Sequence, residues 1–269
     1  MVDITDEIFA SRLAILDNLF ADKISAPSAA EQLSSASLSD STLEGGLGRL
    51  WNLIIALASK SAEQHDKLVD VVVDISELPD AQTPEGAPLT LHDMQVWKDL
   101  PTLGWMFRDK WNFTINPNDN PEKKKQSIQR FINMNRFAAL LMATDEPVFT
   151  SFSWFALVTF REALETPVEQ LSARELLDAL IPAAAAWIEL LGVEIHEWDE
   201  EFPSGGKHGA PGRGGPLWSG SHAFSKERWR LWRERFGVVS GLDGVAEEVR
   251  KVAGEAEVMM REIEAGDVE

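Results

Sequence analysis

At 269 residues, with 44% hydrophobic content and ten tryptophans, the chain can bury a sizeable core, which excludes general disorder. A net charge of −19 makes nucleic acid an unfavourable partner and disfavours an anionic membrane surface, because phosphates would be repelled. With no cysteine and no tyrosine, the chain has no disulfides, thiolate zinc sites, thiol nucleophiles or phenolic acids and bases.

The opening residues, Met1-Val2-Asp3-Ile4-Thr5-Asp6-Glu7, are acidic and lack the basic-then-apolar order of a signal peptide. No apolar run approaches the ~20 residues of a membrane span, so no membrane association is expected. The expected location is the cytoplasm, with the nucleus as an alternative. Residues 3–22 read as an amphipathic helix with Ile4, Ile8, Ile15, Leu16 and Leu19 on one side, interrupted by Arg12. A shorter helix follows Ser25, with Ser28 and Glu31 spaced as a capping box. The Ser- and Gly-rich stretch 34–46 reads as a surface connection.

Leu47 to Ala58 predicts an apolar helix containing Trp51, and Ser61 to Gln64 caps another with Leu68, Val72 and Ile75 inward. Val71 to Val73 would suit a strand, but without turn-bounded partners helix is the better assignment. Residues 79–90 read as a loop. A helix through Leu103, Phe107 and Trp111 follows, and Asn120-Pro121, a cap followed by a first-turn proline, opens the next. In that helix Ile128, Phe131, Ala138 and Met142 form an apolar stripe with Asn135 in its middle. Asn135 is either a core amide bonded to neighbouring backbone or a polar contact inside a pocket.

Pro147 to Leu191 is the most apolar stretch and reads as a helical hairpin around which the rest is arranged. Phe149, Phe152, Ala156, Phe160 and Ala163 line its first helix. Ser172-Ala173-Arg174-Glu175 is a capping box for the second, whose buried stripe runs through Leu177, Leu180, Ile181, Ala184, Ile188 and Leu191. Pro182 predicts a kink within it, and Gly192 a bend or break near its end. Residues 203–223, with seven glycines and three prolines, form a long loop. A basic helix over 225–236 and an acidic one over about 242–265, with Val245, Val249, Val252 and Ala256 inward, complete the chain.

No motif specifies a reaction. His196-Glu197-x-x-Glu200 lacks the second histidine of a zinc-protease helix, and Ser204-Gly205-Gly206-Lys207-His208 lacks phosphate-loop spacing. Asn116-x-Asn118-x-Asn120 has Pro121 where a calcium loop needs glycine. No cofactor or metal is expected. The helix from Lys226 to Phe236 carries five cations against two glutamates. The simplest expectation is that its cations pair with the acidic 194–201 segment while Trp229, Trp232 and Phe236 pack inward.

Trp97-x-Asp99-Leu100-Pro101, Trp111-Asn112, Asn133 to Ala139, Phe160 to Glu165 and Pro182 to Ile188 occur in an order that resembles a fungal family catalogued as domain of unknown function 3632. Gly214-Gly215-Pro216-Leu217-Trp218-Ser219-Gly220 and Phe224-Ser225-x-x-Arg228-Trp229-x-x-Trp232-x-x-Arg235-Phe236 extend the likeness to the basic helix. The resemblance implies a mainly helical structure, fungal origin, and an ordered loop around Trp218. It brings no catalytic residues.

The fold class expected is all-α, a single multi-helix domain over 1–269. Two functions compete. One is a non-enzymatic protein-interaction or regulatory module; the other is a small-molecule-binding protein or enzyme with an apolar pocket lined by Trp111, Asn112, Asn135, Trp154 and Arg161, with Arg108 or Asp109 supplying charge. A third, anionic-polymer binding through Arg228, Arg230, Arg233 and Arg235, requires those arginines to be exposed and unpaired. Candidate binding residues are therefore Arg108, Trp111, Asn112, Asn135, Trp154, Arg161, Trp218, Arg228, Trp229 and Trp232. The partner expected is a protein or a small apolar ligand, and the oligomeric state is left open.

Overall fold

The structure, a computed structural model, describes residues 4–171, 174–202 and 212–267. It is all-α: among the described residues the only paired strands are a short antiparallel hairpin. The chain divides into two compact units, Met1–Asn112 with Thr144–Thr150, and Phe113–Ala143 with Ser151–Glu269.

In the first unit α1 (Ile4–Phe20), α2 (Ala26–Leu38), α3 (Leu43–Lys60) and α4 (His65–Ser76) pack together, and α5 (Leu103–Trp111) packs on α3. Ser25, rather than Ser28, caps α2: its hydroxyl accepts from the Ser28 amide, and Pro27 sits in the first turn. The expected connection over 34–46 is mostly helix. α2 continues to Leu38, and Thr42 caps α3 by accepting from the Gly45 amide. Glycine is required at 46, since a Cβ there would lie 2.1 Å from the Ser37 carbonyl oxygen. Strands β1 (Thr90–Leu91) and β2 (Met94–Gln95) turn through His92 and Asp93, both at positive φ, as a two-residue hairpin loop demands. Trp51 is buried and donates from Nε1 to the Pro101 carbonyl at 3.0 Å.

Arg12, the interruption in the first apolar stripe, is buried and charge-paired. It donates to Asp40 Oδ2 and to the Ala36 carbonyl, both at 3.1 Å, while Arg49 Nε reaches the same Asp40 oxygen at 2.8 Å. Chiefly through its bond with Arg49, the Asp40 carboxyl is held down at about 2.

In the second unit α8 (Leu177–Glu197) is central: α6 (Pro121–Met142), α7 (Ser153–Leu164), α9 (Lys226–Ser240) and α10 (Glu247–Ala265) all pack on it. Asn120 caps α6 as expected, its side chain accepting from the Lys123 amide. The 3-10 turn before α7, Pro147–Phe152, begins in the first unit, where Phe149 is buried; in the second unit Phe152, Ala156, Phe160 and Ala163 are buried. The capping box at 172–175 lies mostly outside the described residues. α8 is, among the described residues, the one helix long and apolar enough to cross a membrane, contrary to the sequence expectation; 61% of its most apolar window is buried within the protein.

The break in α8 is not at Pro182. Non-helical dihedrals occur at Leu191 (φ −139°, ψ 22°), beside Gly192. A Cβ on Gly192 would meet the end of the Ile263 side chain at 2.7 Å, so α10 packs closely on the chain there and a larger residue would make Ile263 shift. Asn135 is a core amide. Its Oδ1 accepts from Thr159 Oγ1 (2.7 Å) and Trp187 Nε1 (2.9 Å), and its Nδ2 donates to the Phe131 carbonyl at 3.0 Å.

Candidate functional site

The strongest polar feature of the second unit is a buried ion pair that anchors a loop. Glu165 at the end of α7 and Arg228 in the first turn of α9 are both fully buried. Arg228 Nε and Nη2 bond the two Glu165 oxygens at 2.6 and 3.0 Å, and Nη1 donates to the carbonyls of Gly212 and Ala223 at 3.0 Å each. Trp232 Nε1 (2.8 Å) and the Gly215 amide (2.7 Å) complete the carboxylate's partners. Trp218 covers the guanidinium, its ring centroid 5.5 Å away, with Trp232 at 5.6 Å. Residues 212–223 are thus held in place, as the resemblance implied for the loop around Trp218. With every acceptor on Glu165 engaged, the cluster holds structure together and leaves no reactive group free.

The basic helix pairs only partly as expected. Lys226 reaches Glu197 at 2.5 Å, but Arg228 pairs with Glu165 and Arg233 with Glu264 (2.8 Å). Arg228 and Arg233 therefore do not meet the exposed, unpaired condition of the anionic-polymer reading. A small polar concavity of about 210 Å³ lies beside this helix, between His196, Lys226, Arg230 and Glu264. Lys226 Nζ sits 3.1 Å from His196 Nδ1, and its charge is already met by Glu197.

The larger concavity is an open groove of about 600 Å³ where α6, α8 and α10 begin. Ile128, Ile132, Pro182, Val249 and Val252 supply its apolar floor. Lys124, Lys125 and Gln129 line the α6 side; Glu175 and Asp178 line the α8 side; and Glu248 lies on α10. Acids in the first turns of α8 and α10 complement the positive ends of the helix dipoles, which accounts for Asp178 and Glu248 as local structure. The dipoles do not account for an apolar floor left open to water. Lys124 is held by Glu175 at 3.2 Å. Burial, then repulsion from Glu175 and Glu248, pushes the Asp178 carboxyl above its usual range.

The residues expected to bind are not gathered there. Arg108, Trp111 and Asn112 belong to the first unit, where Trp111 is buried and Arg108 and Asn112 are exposed. In the second unit Asn135 is core, Trp154 is half-buried against Phe155 at 4.9 Å, and Arg161 lies 3.8 Å from Glu162. Trp229 is buried with its ring 5.0 Å from His196. What the structure brings together is Trp218, Arg228 and Trp232.

Sequence reasoning did not single out the groove. Ile128 and Val252 were assigned to buried stripes, yet both are half-buried in the structure. Ile128 extends its stripe past the buried Phe131, whereas Val252 lies between the buried Val249 and Ala256 and is opened by the groove itself.

Fold and groove define an all-α protein with an apolar, charge-rimmed cleft among three helix starts. Over residues 51–236 the chain matches the family described as "Protein of unknown function (DUF3632)", and it belongs to that family. The match runs from within α3 to within α9, so the α10 wall of the groove lies outside it. No curated protein and no solved structure matches the chain.

Proposed function

We propose that the protein is a non-enzymatic interaction or regulatory module whose binding surface is the groove at the starts of α6, α8 and α10. The observation that carries this is the apolar floor of Ile128, Ile132, Pro182, Val249 and Val252, left open between charged walls. Grooves of this kind take an amphipathic element from a partner, with apolar anchors in the floor and polar groups on the rim. The other strong clusters, at Glu165 and at Asn135, have their hydrogen-bonding capacity engaged by the protein's own groups. The proposed setting is the cytoplasm of a fungal cell, with the nucleus as an alternative.

The test is cross-linking capture in host extract with three proteins: wild type, Val252→Asp in the groove, and Val238→Asp at an exposed position of α9. A partner held by wild type and Val238→Asp but lost from Val252→Asp is the expected result. Equal recovery by all three overturns the groove assignment. A second reading, a small apolar ligand, is favoured by the groove's volume, which falls within the ~300–1,000 Å³ of small-molecule sites. Native mass spectrometry checks it: a small-mass adduct on wild type, absent from Val252→Asp, would replace a protein partner with a ligand.

A further inference from the structure

Resting on the groove reading, we infer that the occupant is a basic amphipathic helix of a protein partner. Its apolar face lies on Ile128, Ile132 and Val252, and its cation sits against Asp178 and Glu248. The first support is charge. Lys124 and Glu175 offset one another at 3.2 Å, which leaves Asp119, Asp178 and Glu248 lining the groove against Lys125. The influences acting on Asp178 are burial and two neighbouring acids, with no cation among them. An arriving ammonium or guanidinium would relieve that repulsion, whereas an acidic occupant would increase it.

The second support is the spread of apolar side chains. Ile128 and Ile132 on α6 and Val249 and Val252 on α10 lie one turn apart on each helix, the spacing that i, i+3 and i+4 anchors of a docked helix would meet.

The test uses the full chain and two peptides of about 14 residues, roughly four helical turns: one of leucine and lysine, the other of leucine and glutamate. The neutral apolar dye Nile red reports the floor independently of charge. The leucine–lysine peptide is expected to bind at least about tenfold tighter than its acidic counterpart, about 1.4 kcal/mol. Asp178→Asn with Glu248→Gln should erase most of that difference and leave dye binding unchanged.

Val252→Asp separates groove binding from attraction to an acidic surface. It adds negative charge, so non-specific attraction would strengthen while seating in the groove would weaken. Stronger peptide binding by Val252→Asp overturns the inference. Dye binding that Val252→Asp abolishes, with the two peptides equal, overturns the basic occupant and leaves the groove reading standing. If neither dye nor peptide responds to Val252→Asp, both fall.

Discussion

Asp40 in the first unit and Glu165 in the second are carboxylates that each hold a buried arginine, and both make the protein sensitive to loss of one charge. At Asp40 the carboxyl is held at about 2 in the folded protein, below its ordinary value near 4. Its contribution is therefore fully present above about pH 4 and is lost as pH falls through about 2. Asp40→Asn removes it at neutral pH and leaves Arg12 buried without its countercharge, at a cost on the order of 3 kcal/mol. Urea unfolding across pH 2–7 checks both statements: the variant should be weaker at pH 7, with the gap to wild type closing towards pH 2. At Glu165, replacement by Leu strands Arg228 and removes the acceptor of the Gly215 amide and Trp232 Nε1. A loss of about 3–5 kcal/mol is expected, smaller when Arg228→Met accompanies it. The Gly215 amide should then exchange faster with solvent, which hydrogen exchange reads directly.

At the scale of the element, α8 shows where a proline acts and where it does not. Pro182 forfeits one backbone bond, but the chain departs from helical dihedrals nine residues later, at Leu191. Pro182→Ala should restore a donor to the Asp178 carbonyl. Interior proline costs about 3 kcal/mol, and greater freedom of the unfolded chain takes back up to about 1 kcal/mol, so a net gain of about 2 kcal/mol is expected. Denaturant midpoints measure it; a loss of stability would mean that the helix start is built around the proline ring. The Leu191 break was legible only as Gly192; Ile263, which packs on that glycine, is remote in sequence. The same limit explains most of what the sequence left hidden. Local rules found Asn120 as a cap, the stripe of α8 and the inward face of α9. They overextended the 34–46 loop, because Thr42 supplies a cap that reads as one more small polar residue. They placed Ile128 and Val252 inside because periodicity records which face is apolar, not which of its turns a neighbour covers. The partners of Arg12 and Arg228 are carboxylates 28 and 63 residues away, beyond any local pattern.

For the whole molecule, a net charge of −19 opposes compaction and at the same time attracts cations, and salt acts on the two in opposite directions. Raising ionic strength from about 0.01 M to about 0.15 M shortens the screening length from about 30 Å to about 8 Å. Repulsion between surface acids in different parts of the fold is thereby suppressed, while the buried pairs at Asp40 and Glu165 are screened little. The unfolding midpoint should therefore rise with sodium chloride over this range. Affinity for the leucine–lysine peptide should fall several-fold over the same interval, because part of its attraction comes from the acidic surface. The part due to the apolar floor should persist and plateau at higher salt, and Val252→Asp should remove that plateau. Binding that falls to nothing at about 0.15 M, in a protein whose stability has risen, would show that the groove contributes charge and no apolar seat.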